Sequence, residues 1–179
     1  FAYGWFAGDE YTFPWFLQQK LENYRVVNFA VPGYGIFQNL LRLREELGKG
    51  RKPERVILAY ASFQDDRNTM SRNFRKTLRL PGNKIQGIQL PYARFSKEGT
   101  LSYGKISAEY RGVPFLKNLA LSNALDDVYN RNESERLKSH GVSKALIQEM
   151  KYLCEENQID FFIVGIHEDP LTAEMMDYC

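Results

Sequence analysis

Asn28-Phe29-Ala30-Val31-Pro32-Gly33-Tyr34-Gly35-Ile36-Phe37-Gln38 decides how the rest of the chain is read. A β-branched run, Arg25-Val26-Val27, leads into it, and a Pro-Gly-x-Gly turn follows. Beyond the turn, Ile36, Leu40, Leu43 and Leu47 recur at helical spacing. A strand ending in a glycine turn that opens a helix is the βα junction of an α/β protein. In open α/β sheets ligands bind at the carboxyl ends of the strands, beside such junctions. Glycines let backbone N–H groups approach a ligand, and a helix N-terminus favours negative charge, so the turn predicts a place for an anion or an oxyanion.

Upstream of this stretch, Thr12 and Pro14 mark a helix start, and Phe13, Phe16, Leu17 and Leu21 give that helix a buried stripe. Tyr24 to Val31 then reads as a buried strand. Downstream, Gly48-Lys49-Gly50 ends the second helix, and Arg55-Val56-Ile57-Leu58-Ala59-Tyr60 reads as a second strand. Helix, strand, helix, strand is the rhythm of a doubly wound parallel sheet. Residues 61–68 form a polar loop at that strand's carboxyl end. Residues 69 to about 138 break the rhythm and read as an irregular insertion or cap. Within it Arg72, Arg75, Lys76 and Arg79 share a helical face that reads first as solvated surface, with an acidic ligand as the second account. Runs at 84–92 and 100–110 flank Lys97-Glu98-Gly99 as a hairpin, residues 118–129 look helical, and 130–138 look polar and mobile. Ser143 is expected to cap an amphipathic helix carrying Leu146, Met150, Leu153 and Cys154. A buried strand at 159–166, the loop His167-Glu168-Asp169-Pro170 and a last helix complete the pattern.

A chain of 179 residues suits one domain, and 44% hydrophobic with 26% charged residues is ordinary globular composition. A formal charge of +2 gives no argument for nucleic acid or a membrane surface as partner. Two cysteines form neither a disulfide framework nor a metal-ligand pattern. No run reaches membrane-spanning length and no signal peptide is visible, although a chain opening at Phe1 leaves room for an upstream segment.

Three junctions, 32–35, 61–68 and 167–170, therefore point to one face of the sheet. Ser62, Asp65 or Asp66, and His167 are the residue types of a nucleophile, an orienting acid and a base. Ser62 lacks the Gly-x-Ser-x-Gly elbow that exposes such a serine, and His167 reads equally as a structural or rim residue. His167, Glu168 and Asp169 are consecutive and match no metal motif, so no metal or cofactor is expected.

Phe1-Ala2-Tyr3-Gly4-Trp5, then Thr12-Phe13-Pro14-Trp15, then Asn28-x-x-Val31-Pro32-Gly33-Tyr34-Gly35-x-x-Gln38 resembles the SGNH/GDSL hydrolase superfamily. The resemblance implies a three-layer α/β/α, flavodoxin-like parallel sheet, one domain over 1–179, with the 69–138 insertion set into it. It implies an esterase or deacylase acting on a small acyl ester or acylated sugar. Gly33 matches the glycine whose backbone N–H holds the oxyanion. The third family block falls on Ala59-Tyr60-Ala61-Ser62, so Ala61 stands where the family has its oxyanion-hole asparagine. Gln64, Arg67 and Asn68 are the nearest polar replacements, although Arg67 can equally pair with Asp65 or Asp66. Tyr3, Tyr34, Gln64, Arg67, Asn68 and His167 are the binding candidates.

The resemblance also implies that the nucleophilic serine stands just before Phe1, that an Asp-x-x-His block follows Cys179, and that the domain is truncated at both ends. A sheet lacking its central strand leaves buried backbone groups unpaired, each costing roughly 1–3 kcal/mol against a domain stability of about 5–15 kcal/mol. On this reading the segment is not stable alone, and more chain or a second chain completes the sheet. The alternative is a non-catalytic binding module on the same fold.

Overall fold

The computed structural model describes residues 8–78, 85–110 and 120–179, apart from the side chains at 120–123 and 134. It is a mixed helix–strand fold around a small parallel sheet. Strand β1 (Arg55–Tyr60) pairs with β4 (Asp160–Gly165) in the register Arg55↔Asp160 to Tyr60↔Gly165. Strands β2 (Gln89–Phe95) and β3 (Leu101–Ser107) form the antiparallel hairpin expected around residues 97–99. The Ser96 N–H donates to Thr100 O at 2.8 Å to close its turn.

Alternation along β1 and β4 sorts their side chains between two faces. Val56, Leu58 and Tyr60 of β1, with Phe161 and Ile163 of β4, turn toward helices α2 (Ile36–Gly48) and α6 (Ser139–Glu156). Those helices contribute Ile36, Phe37, Leu40 and Leu43, and Val142, Leu146, Ile147, Met150 and Cys154, at the spacing of a single buried stripe. Cys154 is fully buried, and burial pushes its thiol up to about 11. The hairpin belongs to this core too, through buried Ala93 and the flanking Phe95 and Leu101. On the opposite sheet face, Ile57, Phe162 and Val164 are 42%, 49% and 46% exposed.

Three local differences from the sequence reading have physical causes. Tyr24 to Val31 is irregular rather than a strand. Its backbone is held by Gln18 of helix α1 (Phe13–Lys20), whose Oε1 accepts from the Val26 N–H at 2.7 Å and whose Nε2 donates to Tyr24 O at 2.7 Å. Residues 130–137 are not a polar mobile stretch but the second half of helix α5 (Ala120–Leu137). Their polar groups face Arg72 of helix α4 (Arg72–Thr77): its Nε donates to Asn130 Oδ1 at 3.2 Å and its backbone N–H to Glu133 Oε2 at 2.5 Å. Arg72 also pairs with Asp126, and Lys76 with Asp126 and Asp127, while Arg75 donates to the carbonyls of Met70 and Glu109. The basic face thus fastens α4 to its surroundings; Arg79 lies outside the described residues. Finally, α6 begins at Ser139, a turn before the expected start, and Ser143 lies inside it, fully buried. Among the described residues no helix is long and apolar enough to cross a membrane.

Candidate functional site at the carboxyl ends of the parallel strands

Beyond β1 the chain enters one 3-10 turn (Ser62–Gln64) and the short helix α3 (Asp65–Thr69). Beyond β4 it enters helix α7 (Pro170–Tyr178). Asp169 caps α7, its Oδ1 accepting from the Leu171 and Thr172 N–H groups at 3.0 Å each. The Thr172 hydroxyl beside it, ahead of the backbone donors, holds this carboxyl below its ordinary range. Thr172 Oγ1 also accepts from the Ser62 N–H at 3.1 Å, which ties the two strand ends together. The Phe63 and His167 rings meet edge-on, with centroids 6.1 Å apart. An open cleft of about 520 Å³ lies along Gly165 to Asp169 and the first turn of α7.

The glycine turn reaches this end of the sheet through Arg67. Gly33 takes φ +81, a left-handed backbone that favours glycine, and the Tyr34 N–H closes the turn on Val31 O at 3.2 Å. Arg67 Nη1 donates to Tyr34 O at 3.1 Å, and its guanidinium lies 4.8 Å from the Phe63 ring centroid and 5.9 Å from that of Phe74. Tyr34, Arg67, Phe63 and His167 therefore run in sequence around the rim, linking all three junctions.

The N-terminus of α2 is not an open anion site. Gln38 Oε1 accepts from the Gly35 N–H at 2.9 Å, and Asn68 Oδ1 accepts from the Phe37 N–H at 2.9 Å. These side chains satisfy donors that a helix start otherwise leaves open. Gly33 remains exposed, and no group among the described residues accepts from its N–H.

The other binding candidates have definite places. Gln64 is buried, with Nε2 donating to Ala59 O at 3.2 Å and Oε1 without a partner among the described residues. Asn68 is fully buried and donates from Nδ2 to Ser143 Oγ at 2.8 Å. Tyr34 is 36% exposed at the rim. Ala61 is fully buried at the end of β1. Tyr3 and the rest of the aromatic opening lie outside the described residues.

Ser62, Asp65, Asp66 and His167 are not assembled into a nucleophile–base–acid set. Asp65 turns inward instead. Its Oδ1 accepts from Tyr60 Oη at 2.9 Å and from Ser143 Oγ at 2.5 Å, and its Oδ2 lies 2.9 Å from His140 Nδ1. Burial pushes this carboxyl above its ordinary range, against the pull of those three partners. Burial and the adjacent Asp65 push the Tyr60 phenol up as well. On its far side, His140 Nε2 stands 3.8 Å from Glu174 Oε1, which Lys144 Nζ approaches at 2.6 Å. Asp66 faces Asn73 Nδ2 at 3.3 Å and Ser139 Oγ at 3.5 Å.

The sequence reading missed this buried polar cluster. A signal was available. Ser139, Val142, Ser143, Leu146, Ile147, Met150 and Cys154 form one helical stripe, and hydroxyls on an otherwise apolar stripe require interior partners.

No protein-family model, curated protein or solved structure matches the chain.

Proposed function

We propose that this chain forms the oxyanion side of an SGNH-type serine ester hydrolase built on a three-layer, flavodoxin-like α/β/α plan. The observation that carries the reading is the shared rim: the junctions at 32–35, 61–68 and 165–172 meet at the carboxyl ends of β1 and β4, with the Gly33 N–H on an exposed turn and without an acceptor among the described residues. In this reaction a serine from outside the 179 residues attacks the acyl carbonyl, and a base takes its proton. The carbonyl oxygen becomes an oxyanion that the Gly33 N–H stabilises. The ester C–O bond then breaks, the alcohol leaves with the proton, and water releases the acid from the acyl-serine. Loss of one oxyanion donor typically lowers turnover by about 100- to 1000-fold. The alanine at position 61 therefore favours the alternative, a non-catalytic ligand-binding module, unless another donor acts in its place.

The complete natural protein is expected to be labelled by a fluorophosphonate and to hydrolyse a short-chain aryl ester. Ser62→Ala should keep the label, because the Ser62 backbone N–H is held by Thr172 and its hydroxyl acts on Asp169. A folded sample that takes no label supports the binding module, and loss of label in Ser62→Ala would restore Ser62 as nucleophile.

A further inference from the structure

Arg67 is satisfied differently from other half-buried arginines. Arg72 is paired with the carboxylate of Asp126. Arg75 places its guanidinium on the carbonyls of Met70 and Glu109, and Arg94 on those of Thr69 and Met70. Among the described residues Arg67 has one acceptor, Tyr34 O, for a group that carries five N–H donors. Its sequence neighbours Asp65 and Asp66 face away, toward His140 and Ser143 and toward Asn73 and Ser139 respectively. Among the described residues no carboxylate lies within ion-pair distance of it. Phe63 and Phe74 cover the guanidinium, and burial holds it below its ordinary range with no acid acting on it.

We propose that Arg67 is the anion-recognition residue of this rim and that the ester it serves carries a carboxylate. This rests on the ester hydrolase reading and adds a substrate class to it. The planar, singly charged carboxylate matches the guanidinium fork. A phosphate dianion suits the rim less well, because Glu168 and Asp169 stand on it and Arg67 is the only arginine or lysine in the three junctions. Position sets the spacing. Arg67 is bonded to the carbonyl of the residue next to Gly33, and adjacent Cα atoms are about 3.8 Å apart. That closeness along the chain favours an ester whose carboxylate and reacting carbonyl belong to one short molecule, as in a dicarboxylic half-ester. Stacking against Phe63 and Phe74 orients the fork for its partner.

The test compares 4-nitrophenyl acetate with mono-4-nitrophenyl succinate on the complete natural protein, and titrates monomethyl succinate while following the Arg67 Nε–H resonance. The wild type should favour the succinate ester, chiefly through KM. Arg67→Met should lower that preference about 10- to 100-fold, the range of a hydrogen-bonded charge pair. Arg67→Lys, which keeps the charge without the fork, should fall between and covers the case in which the methionine variant does not fold. Monomethyl succinate should saturate the Arg67 signal. Hydrolysis of both esters with no preference, and no change on substitution, overturns the proposal and leaves the hydrolase reading standing. Saturation of Arg67 in a protein that hydrolyses neither ester supports the anion site while the hydrolase reading fails. No hydrolysis together with no saturation removes both.

Discussion

Asp65→Ala is expected to destabilise the protein by about 3–5 kcal/mol, the cost of removing one member of a buried charged and hydrogen-bonded cluster. Three interior groups lose their Asp65 partner at once, Tyr60 Oη, Ser143 Oγ and His140 Nδ1, leaving Ser143 with the Ser139 carbonyl as its acceptor. Asp65→Asn should cost far less, about 1 kcal/mol. The amide oxygen still accepts from Tyr60 and Ser143, and the amide nitrogen donates to His140 Nδ1. The imidazole proton then moves to Nε2, which faces Glu174 Oε1 at 3.8 Å.

The two proteins should also differ in their response to pH. Burial raises the Asp65 carboxyl above its ordinary range, so in the window between those two values the native state holds a proton that the unfolded chain has released. Stability therefore falls as pH rises through that window, and the contribution is complete only below the ordinary aspartate range. Asp65→Asn cannot titrate and should lose this decline. Urea denaturation of both proteins between about pH 3 and 8 measures it, since the window opens near the ordinary aspartate value. Parallel profiles would mean that Asp65 is not destabilised by its burial.

Gly35→Ala should destabilise by about 1–3 kcal/mol through overpacking. The backbone there is extended, φ −105 and ψ −173, so any residue can adopt it. Space is the constraint: an added methyl overlaps Asn68 Oδ1 and comes 3.1 Å from Arg67 Cβ. Asn68 cannot easily move, because it is fully buried between the Phe37 N–H and Ser143 Oγ. Asn68→Ala should itself cost about 1–3 kcal/mol by stripping those partners. Gly35→Ala combined with Asn68→Ala should then be less damaging than the sum of the two, because the second change removes what the first collides with. Strict additivity of the denaturation free energies would show that the two residues do not meet.

What the sequence made legible follows from which residues pack on one continuous face. Ile36, Leu40 and Leu43, and Leu146, Met150 and Cys154, all join one core, so their helical spacing was unambiguous. β1 and β4 were legible because they are β-branched and aromatic runs ended by polar loops. Tyr24 to Val31 has the same local character, yet sheet formation needs a neighbour, and Gln18 holds the segment in another arrangement. Asn130 and Glu133 are polar without being exposed: both are buried against Arg72, a partner that local composition does not announce. Ser143 suited a helix cap by composition, but Asp65, 78 positions away in sequence, claims its hydroxyl. The rim could be read because junction loops announce themselves locally. The His140–Asp65 cluster leaves only the hydroxyls on the α6 stripe as a local trace, since its members meet only in three dimensions.

The burial of Cys154 makes it a built-in reporter of breathing motions. Its thiol is enclosed by α6 and the sheet and pushed up to about 11, whereas Cys179 is exposed. A thiol reagent therefore has an immediate target at Cys179 and a second one that becomes available only when α6 lifts from β1 and β4. The lag between the two alkylations times that opening, and a ligand that closes the fold down should lengthen it without touching either sulfur.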